Sequence, residues 1–253
     1  MSEFKNIAFH QHGPIAVIIL NRPDVMNALS PQLIAELKTT IAEVAADEEA
    51  KALIVTGAGK AWSAGVDLNT FSGAAANNST MMDQFLEDGN EIIHLLQTMP
   101  KPAIAAINGY CFTGALELMM AFDVVIAANE SMIGDTHAKW GVLPKWGMSQ
   151  RLSQLVGPMK ARELSFTCEA ITGLEAARIG LVNKAVPLAN LDDTVNEMVN
   201  KMLGNSAQTI AGMKKLYFFG EQNTLKEGLQ AEQAYNVAIT DRAEFLADFA
   251  ENI

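Results

Sequence analysis

Two short segments of the chain carry residue types whose spacing could hold a developing negative charge on oxygen. The first is Gly59-Lys60-Ala61-Trp62-Ser63-Ala64-Gly65-Val66-Asp67-Leu68. Its small side chains at Ala61, Ser63, Ala64 and Gly65 let a ligand come close to the main chain, although the same pattern also serves as a plain tight turn. The second is Asn108-Gly109-Tyr110-Cys111-Phe112-Thr113-Gly114-Ala115-Leu116-Glu117. If a helix begins near Gly114, its first amides lack intrahelical partners and carry partial positive charge, so an anionic oxygen there is stabilised. Glu117 stays within that first turn. It either complements the helix dipole or stands beside a reacting group. The residues that follow, Leu118 to Phe122, are apolar, and a carboxylate in such surroundings is costly unless it is paired or at work.

These segments need elements to place them. Ile15 to Leu20 is an apolar, β-branched run that reads as a strand buried on both faces. Ser30 and Pro31 then open a helix with Leu33, Ile34, Leu37, Ile41 and Val44 on one face. Ala52 to Thr56 is a second strand and leads into the first segment, read as a small-residue loop from Ala61 to Leu68. Ser72 to Ser79 reads as a mobile loop. Met82 to Met99 has helical periodicity, stopped by Pro100 and Pro102. Ala103 to Ile107 is a third strand leading into the second segment, and Val124 to Ala127 a fourth. Strands alternating with helices imply parallel pairing, hence an α/β fold. From about Leu191 the pattern turns helical, through Val195 to Leu203, Ala207 to Phe219 and Leu225 to Ile239.

The bulk properties narrow the partners. A net charge of -11 argues against a chain built to grip nucleic acid or anionic lipid. Ala103 to Ala128 is apolar, but Asn108, Thr113, Glu117 and Asp123 interrupt it, which disfavours a membrane span. Cys111 and Cys168 read as buried thiols, without disulfide or metal spacing. His10, His12 and His94 lack ligand-like spacing, so no metal is expected. Trp62, Trp140 and Trp146 read as packing residues. The opening residues lack a charged-then-apolar leader pattern, and the protein is expected to be cytoplasmic.

The two segments, in this order and separation, resemble the signature of the enoyl-CoA hydratase/isomerase (crotonase) family. So do Leu20-Asn21-Arg22-Pro23 with Asn27-Ala28-Leu29, Gly141 to Arg151, and Ala176 to Val182. The resemblance implies a spiral core of repeated β-β-α units over residues 1–190, binding acyl-CoA, and a C-terminal helical region over 191–253 that serves oligomerisation. It implies a homotrimer or dimer of trimers, a coenzyme A thioester substrate of the kind met in fatty acid metabolism, and no further cofactor. It assigns the Val66 and Gly114 amides to an oxyanion hole and Glu117 to acid/base catalysis. Val25, Ala64, Asp67, Leu68 and Asn69 fall on substrate-binding positions.

The chain also departs from the family pattern. Typical hydratases carry a second glutamate where this sequence has His137. Either His137 replaces that acid, or Asp135 serves, or Glu117 handles both proton transfers. Family isomerases usually depend on the missing glutamate, which favours hydration, the activity of a lyase. Isomerisation, hydration coupled to carbon–carbon cleavage, and simple acyl-CoA binding stay open. Asp24 stands where many relatives have lysine, and the end, Phe245 to Ile253, lacks the basic residues often found there. Lys101, Lys214 and Lys215 are therefore either phosphate contacts or ordinary solvated charges.

Overall fold

A computed structural model describes residues 4–70, 79–243, 245 and 246. The expected loop at 72–78 and the chain end beyond 246 lie outside the described residues, while Ser79 already opens a helix.

The chain begins with a hairpin of β1 (Ile7–His12) and β2 (Ile15–Leu20), followed by α1 (Pro31–Ala46). Ser30 caps α1, its hydroxyl accepting from the Leu33 amide at 3.2 Å. Three similar turns follow. They are β3 (Ala52–Gly57), β4 (Ala61–Ser63) and α2 (Ser79–Thr98); then β5 (Ala103–Ile107), β6 (Tyr110–Phe112) and α3 (Gly114–Met119); then β7 (Val124–Ala128), β8 (Met132–Gly134) and α4 (His137–Trp140). After α5 (Met148–Val156) and α6 (Pro158–Thr167) come β9 (Ile171–Thr172), α7 (Gly173–Arg178) and β10 (Lys184–Val186). The first strand of each turn enters a six-stranded sheet ordered β1-β2-β3-β5-β7-β10, and the second a four-stranded sheet ordered β4-β6-β8-β9. Pairing is parallel except between β1 and β2 and between β8 and β9. The result is a spiral of strand–strand–helix turns.

The large sheet has a core on each side. Leu53, Val55, Ala103, Ala105 and Ile107 face the main core, while Ile54, Ile104 and Ile126 face a second one. That second core is covered by α8 (Leu191–Leu203) through Leu191, Val195 and Val199. Burial on both faces explains the unbroken apolar runs of β3 and β5. Strand β2, next to the edge strand, instead alternates between Ala16, Ile18 and Leu20, buried in the main core, and half-buried residues of which Ile15 and Val17 pack against the second core. The last helices are α9 (Ala207–Gln222) and α10 (Leu225–Ala234). The latter ends five residues before the expected Ile239. Two readings of buried side chains also change. Trp140 is 53% exposed on the short α4, and Cys168 is half-buried where it caps α6 at φ 56°.

Candidate active site

The loop after β3 is pinned by two asparagines. Asn27, fully buried and at φ 54°, donates its side-chain amide to the carbonyls of Ala58 and Ala61 at 2.9 and 2.7 Å. Asn108 donates to Gly57 and Gly59 at 2.9 and 3.0 Å. The clasp leaves no room for a side chain at Gly109, where a Cβ would lie 1.9 Å from the Lys60 carbonyl oxygen. The loop therefore reaches Val66 in a fixed path.

At Val66 the chain bridges to Leu29. The Leu29 amide donates to Gly65 O at 2.8 Å, and the Asp67 amide donates to Leu29 O at 3.0 Å. The neighbours of Val66 thus face Leu29, which turns the Val66 amide the other way, since main-chain groups alternate along an extended segment. On the far side lies the start of α3. A Cβ at Gly65 would lie 2.7 Å from the Phe112 carbonyl oxygen, and one at Gly114 would sit 3.3 Å from Val66 Cγ2. Gly114 is the first residue of α3, so its amide has no intrahelical acceptor. Neither the Val66 nor the Gly114 amide donates to an acceptor among the described residues. Thr113, just before, is held at φ 54° and ψ -116°, a strained setting for a β-branched residue. Its hydroxyl is hydrogen-bonded to that of Thr136, and its amide donates to Gly134 O at 3.0 Å.

Glu117 is 2% exposed. Its Oε1 accepts from the amides of Trp146 and Met148 at 2.8 and 3.0 Å. Its Oε2 faces His137 Nε2 at 3.4 Å. On the other side of the ring, Nδ1 lies 2.6 Å from Asp135 Oδ1, and Asp135 Oδ2 accepts from the Ser165 hydroxyl at 2.6 Å. Burial alone would lower the His137 pKa, but the bonds to Asp135 and Glu117 outweigh it and raise the ring to about 9. Burial would raise Asp135, yet the bonds from His137 and Ser165 hold it below its ordinary value. The ring is therefore an imidazolium between two carboxylates at neutral pH. A fixed carboxylate oxygen beside a cationic N–H, next to two unengaged amides, can take a proton at one point and return one at another.

The remaining expected residues divide. The turn carrying Val25 lies against Ala64, whose amide donates to Met26 O at 2.9 Å, and Val25, Leu68 and Asn69 are exposed. Asp67 is turned inward. Its carboxylate pairs with Arg22 at 3.0 Å and accepts from the Asn69 amide, so it offers no free charge to a ligand path. Lys101 and Lys214 are not phosphate contacts or solvated charges: both are buried, Lys101 donating to the Val44 and Asp47 carbonyls and Lys214 to Asp123 and Lys101 O. Lys215 lies over the Tyr235 ring at 5.4 Å. Sequence reasoning missed the amides of Trp146 and Met148, because main-chain donors leave no residue-type signal. The one hint is Gly147 between them, at φ 103°. Ser165 gave no signal at all.

Residues 10–252 match the family model described as enoyl-CoA hydratase/isomerase. A short-chain-enoyl-CoA hydratase of Clostridium acetobutylicum is 35% identical over 231 residues, 91% of this chain and 87% of that protein. A crotonyl-CoA hydratase of Syntrophomonas wolfei is 32% identical, covering 98% of this chain and 96% of its own length. The crystal structure of an enoyl-CoA hydratase from Bacillus anthracis superposes with a TM-score of 0.92 at 33% identity, over 98% of this chain and 97% of that one.

Proposed function

Since the chain belongs to the enoyl-CoA hydratase/isomerase family, we propose that it adds water across the double bond of a 2-enoyl-CoA thioester. The thioester oxygen sits between the Val66 and Gly114 amides, which take up the charge of the enolate. Glu117 Oε2 accepts a proton from water as the water oxygen bonds to C3. His137 Nε2–H gives its proton to C2. The proton on Glu117 then crosses to His137 Nε2, 3.4 Å away, and both groups are restored. Water is consumed and no other reactant is needed. What most supports hydration is the buried Glu117 carboxylate, held by two amides on one oxygen and open to His137 on the other.

In this reading coenzyme A arrives on the substrate, and no other cofactor takes part. Val25, Ala64, Leu68 and Asn69 border its path. The chain works in the cytoplasm, within acyl-CoA metabolism, as a trimer or a pair of trimers. Exposed apolar side chains on α9 and α10, among them Tyr217, Leu225 and Leu229, support an assembled state.

The test is the loss of conjugated enoyl absorbance from crotonyl-CoA. Wild type should consume it, Glu117→Gln should lose at least about a hundredfold in kcat, and His137→Ala a similar amount. Acyl-CoA binding without turnover would make the chain a binding protein, and conversion of a 3-enoyl-CoA alone would make it an isomerase.

A further inference from the structure

Hydration as written gives no task to Asp135 or Ser165, yet Asp135 is committed to His137 and Ser165 to Asp135. Ser165 on α6, Asp135 in the turn before α4, His137, and Glu117 on α3 form one chain of contacts at 2.6, 2.6 and 3.4 Å. We infer that Asp135, fixed by Ser165, is a positioning residue that keeps His137 doubly protonated and holds its Nε2–H on the Glu117 side of the site, beside the reacting centre. The inference rests on the hydratase reading for its substrate, and on these contacts for the rest.

A carboxylate only accepts, so Nδ1 beside Asp135 must carry a proton. In a neutral ring Nε2 would then present a lone pair to Glu117 Oε2, an acceptor facing an acceptor. With the second proton, both nitrogens donate. The groups facing the ring are the carboxylates of Asp135 and Glu117, and both draw its pKa upward. The Ser165 hydroxyl from α6 is neutral and acts through Asp135. From α5, Arg151 reaches the ring only through Glu117, with which it interacts. Asp135 thus supplies the charge that makes histidine an acid where a glutamate would have to be protonated to serve.

Asp135 Oδ1 also accepts from the His137 amide at 3.1 Å, so a merely structural role is the rival account. Asparagine separates the two. It keeps an acceptor for the amide and for Nδ1–H but removes the charge. The experiment measures the His137 ring pKa by NMR, and the pH profile of crotonyl-CoA hydration, for wild type, Asp135→Asn and Ser165→Ala. In Asp135→Asn the pKa should fall by a unit or more, and the alkaline limb of kcat with it, so that kcat drops about tenfold per unit above the new pKa. KM should change little. Ser165→Ala should move both the same way by less, and Ser165→Thr should restore them. An unmoved His137 titration in Asp135→Asn, or a neutral ring at pH 7 in wild type, overturns the inference. A shifted titration in a chain whose wild type leaves crotonyl-CoA untouched supports the positioning role and removes the hydratase reading instead.

Discussion

A histidine held between Asp135 and Glu117 links the site to the stability of the fold. Its pKa rises from 6.5 to about 9 on folding, so the folded chain binds that proton more tightly than the unfolded one. The resulting stabilisation is complete below about pH 6.5 and is lost as pH rises through about 9. Thermal melts from pH 6 to 9.5 should therefore show a fall in Tm for wild type that is shallower in His137→Gln. Parallel curves would mean that folding does not raise the ring's pKa. Part of this was legible in the sequence. Glu117 announced itself because a carboxylate followed by Leu118, Met119 and Met120 has no cheap place in an apolar helix. His137 stood out only by resemblance. The bond from Ser165 to its neighbour Asp135 was illegible, since 30 residues separate the two and a serine on a helix carries no directional signal.

At the scale of elements, long apolar strands and the capped helix α1 were readable from period and punctuation. Strands β4, β6 and β8 were not, because three residues cannot establish an alternation. Yet these short strands make the second sheet, and they bring the Val66 loop beside α3. The seat of Glu117 depends equally on a packing event that no local pattern foretells. The Trp146 indole lies between α2 and α3, donating from Nε1 to Leu86 O at 2.9 Å and tilted against Phe85. A Cβ on Gly89 would come 2.2 Å from its ring, and one on Gly114 would come 3.1 Å from it. Gly89→Ala should therefore displace the indole, costing about 1–3 kcal/mol by overpacking. Because the Trp146 amide holds Glu117, the same change should lower crotonyl-CoA turnover. Gly220→Ala on α9, where nothing stands within 4 Å of the new Cβ, is the matched control. It should be neutral or slightly stabilising, as alanine for glycine in a helix ordinarily is. Equal effects from the two substitutions would show that the wedge does not position the carboxylate.

Across the whole molecule, the C-terminal helices are joined to the sheet by charge as well as by apolar contact. Lys214 on α9 donates to Asp123 Oδ2 at 2.6 Å and to Lys101 O at 3.0 Å, and Asp123 Oδ2 also accepts from the Ala103 amide at 2.7 Å. One ammonium thus ties α9 to the entrances of β5 and β7. The sequence left Lys214 as either a phosphate contact or an ordinary solvated charge. Only the packing of residue 214 on residues 101 and 123 reveals it as buried, and separations of 113 and 91 positions lie outside any local reading. Burial lowers the Lys214 pKa and raises that of Asp123, each opposed by the attraction between them. Lys214→Met removes the cation while leaving the carboxylate in place, so it should cost about 2–3 kcal/mol in denaturant unfolding and expose α9 to limited proteolysis. Asp123→Asn in the same chain relieves the stranded charge but retains an acceptor for the Ala103 amide. The double variant should therefore be more stable than Lys214→Met alone, and the cycle should return a coupling of about 1 kcal/mol or more. Strict additivity would mean that the pair is incidental and that apolar packing alone holds the helices down.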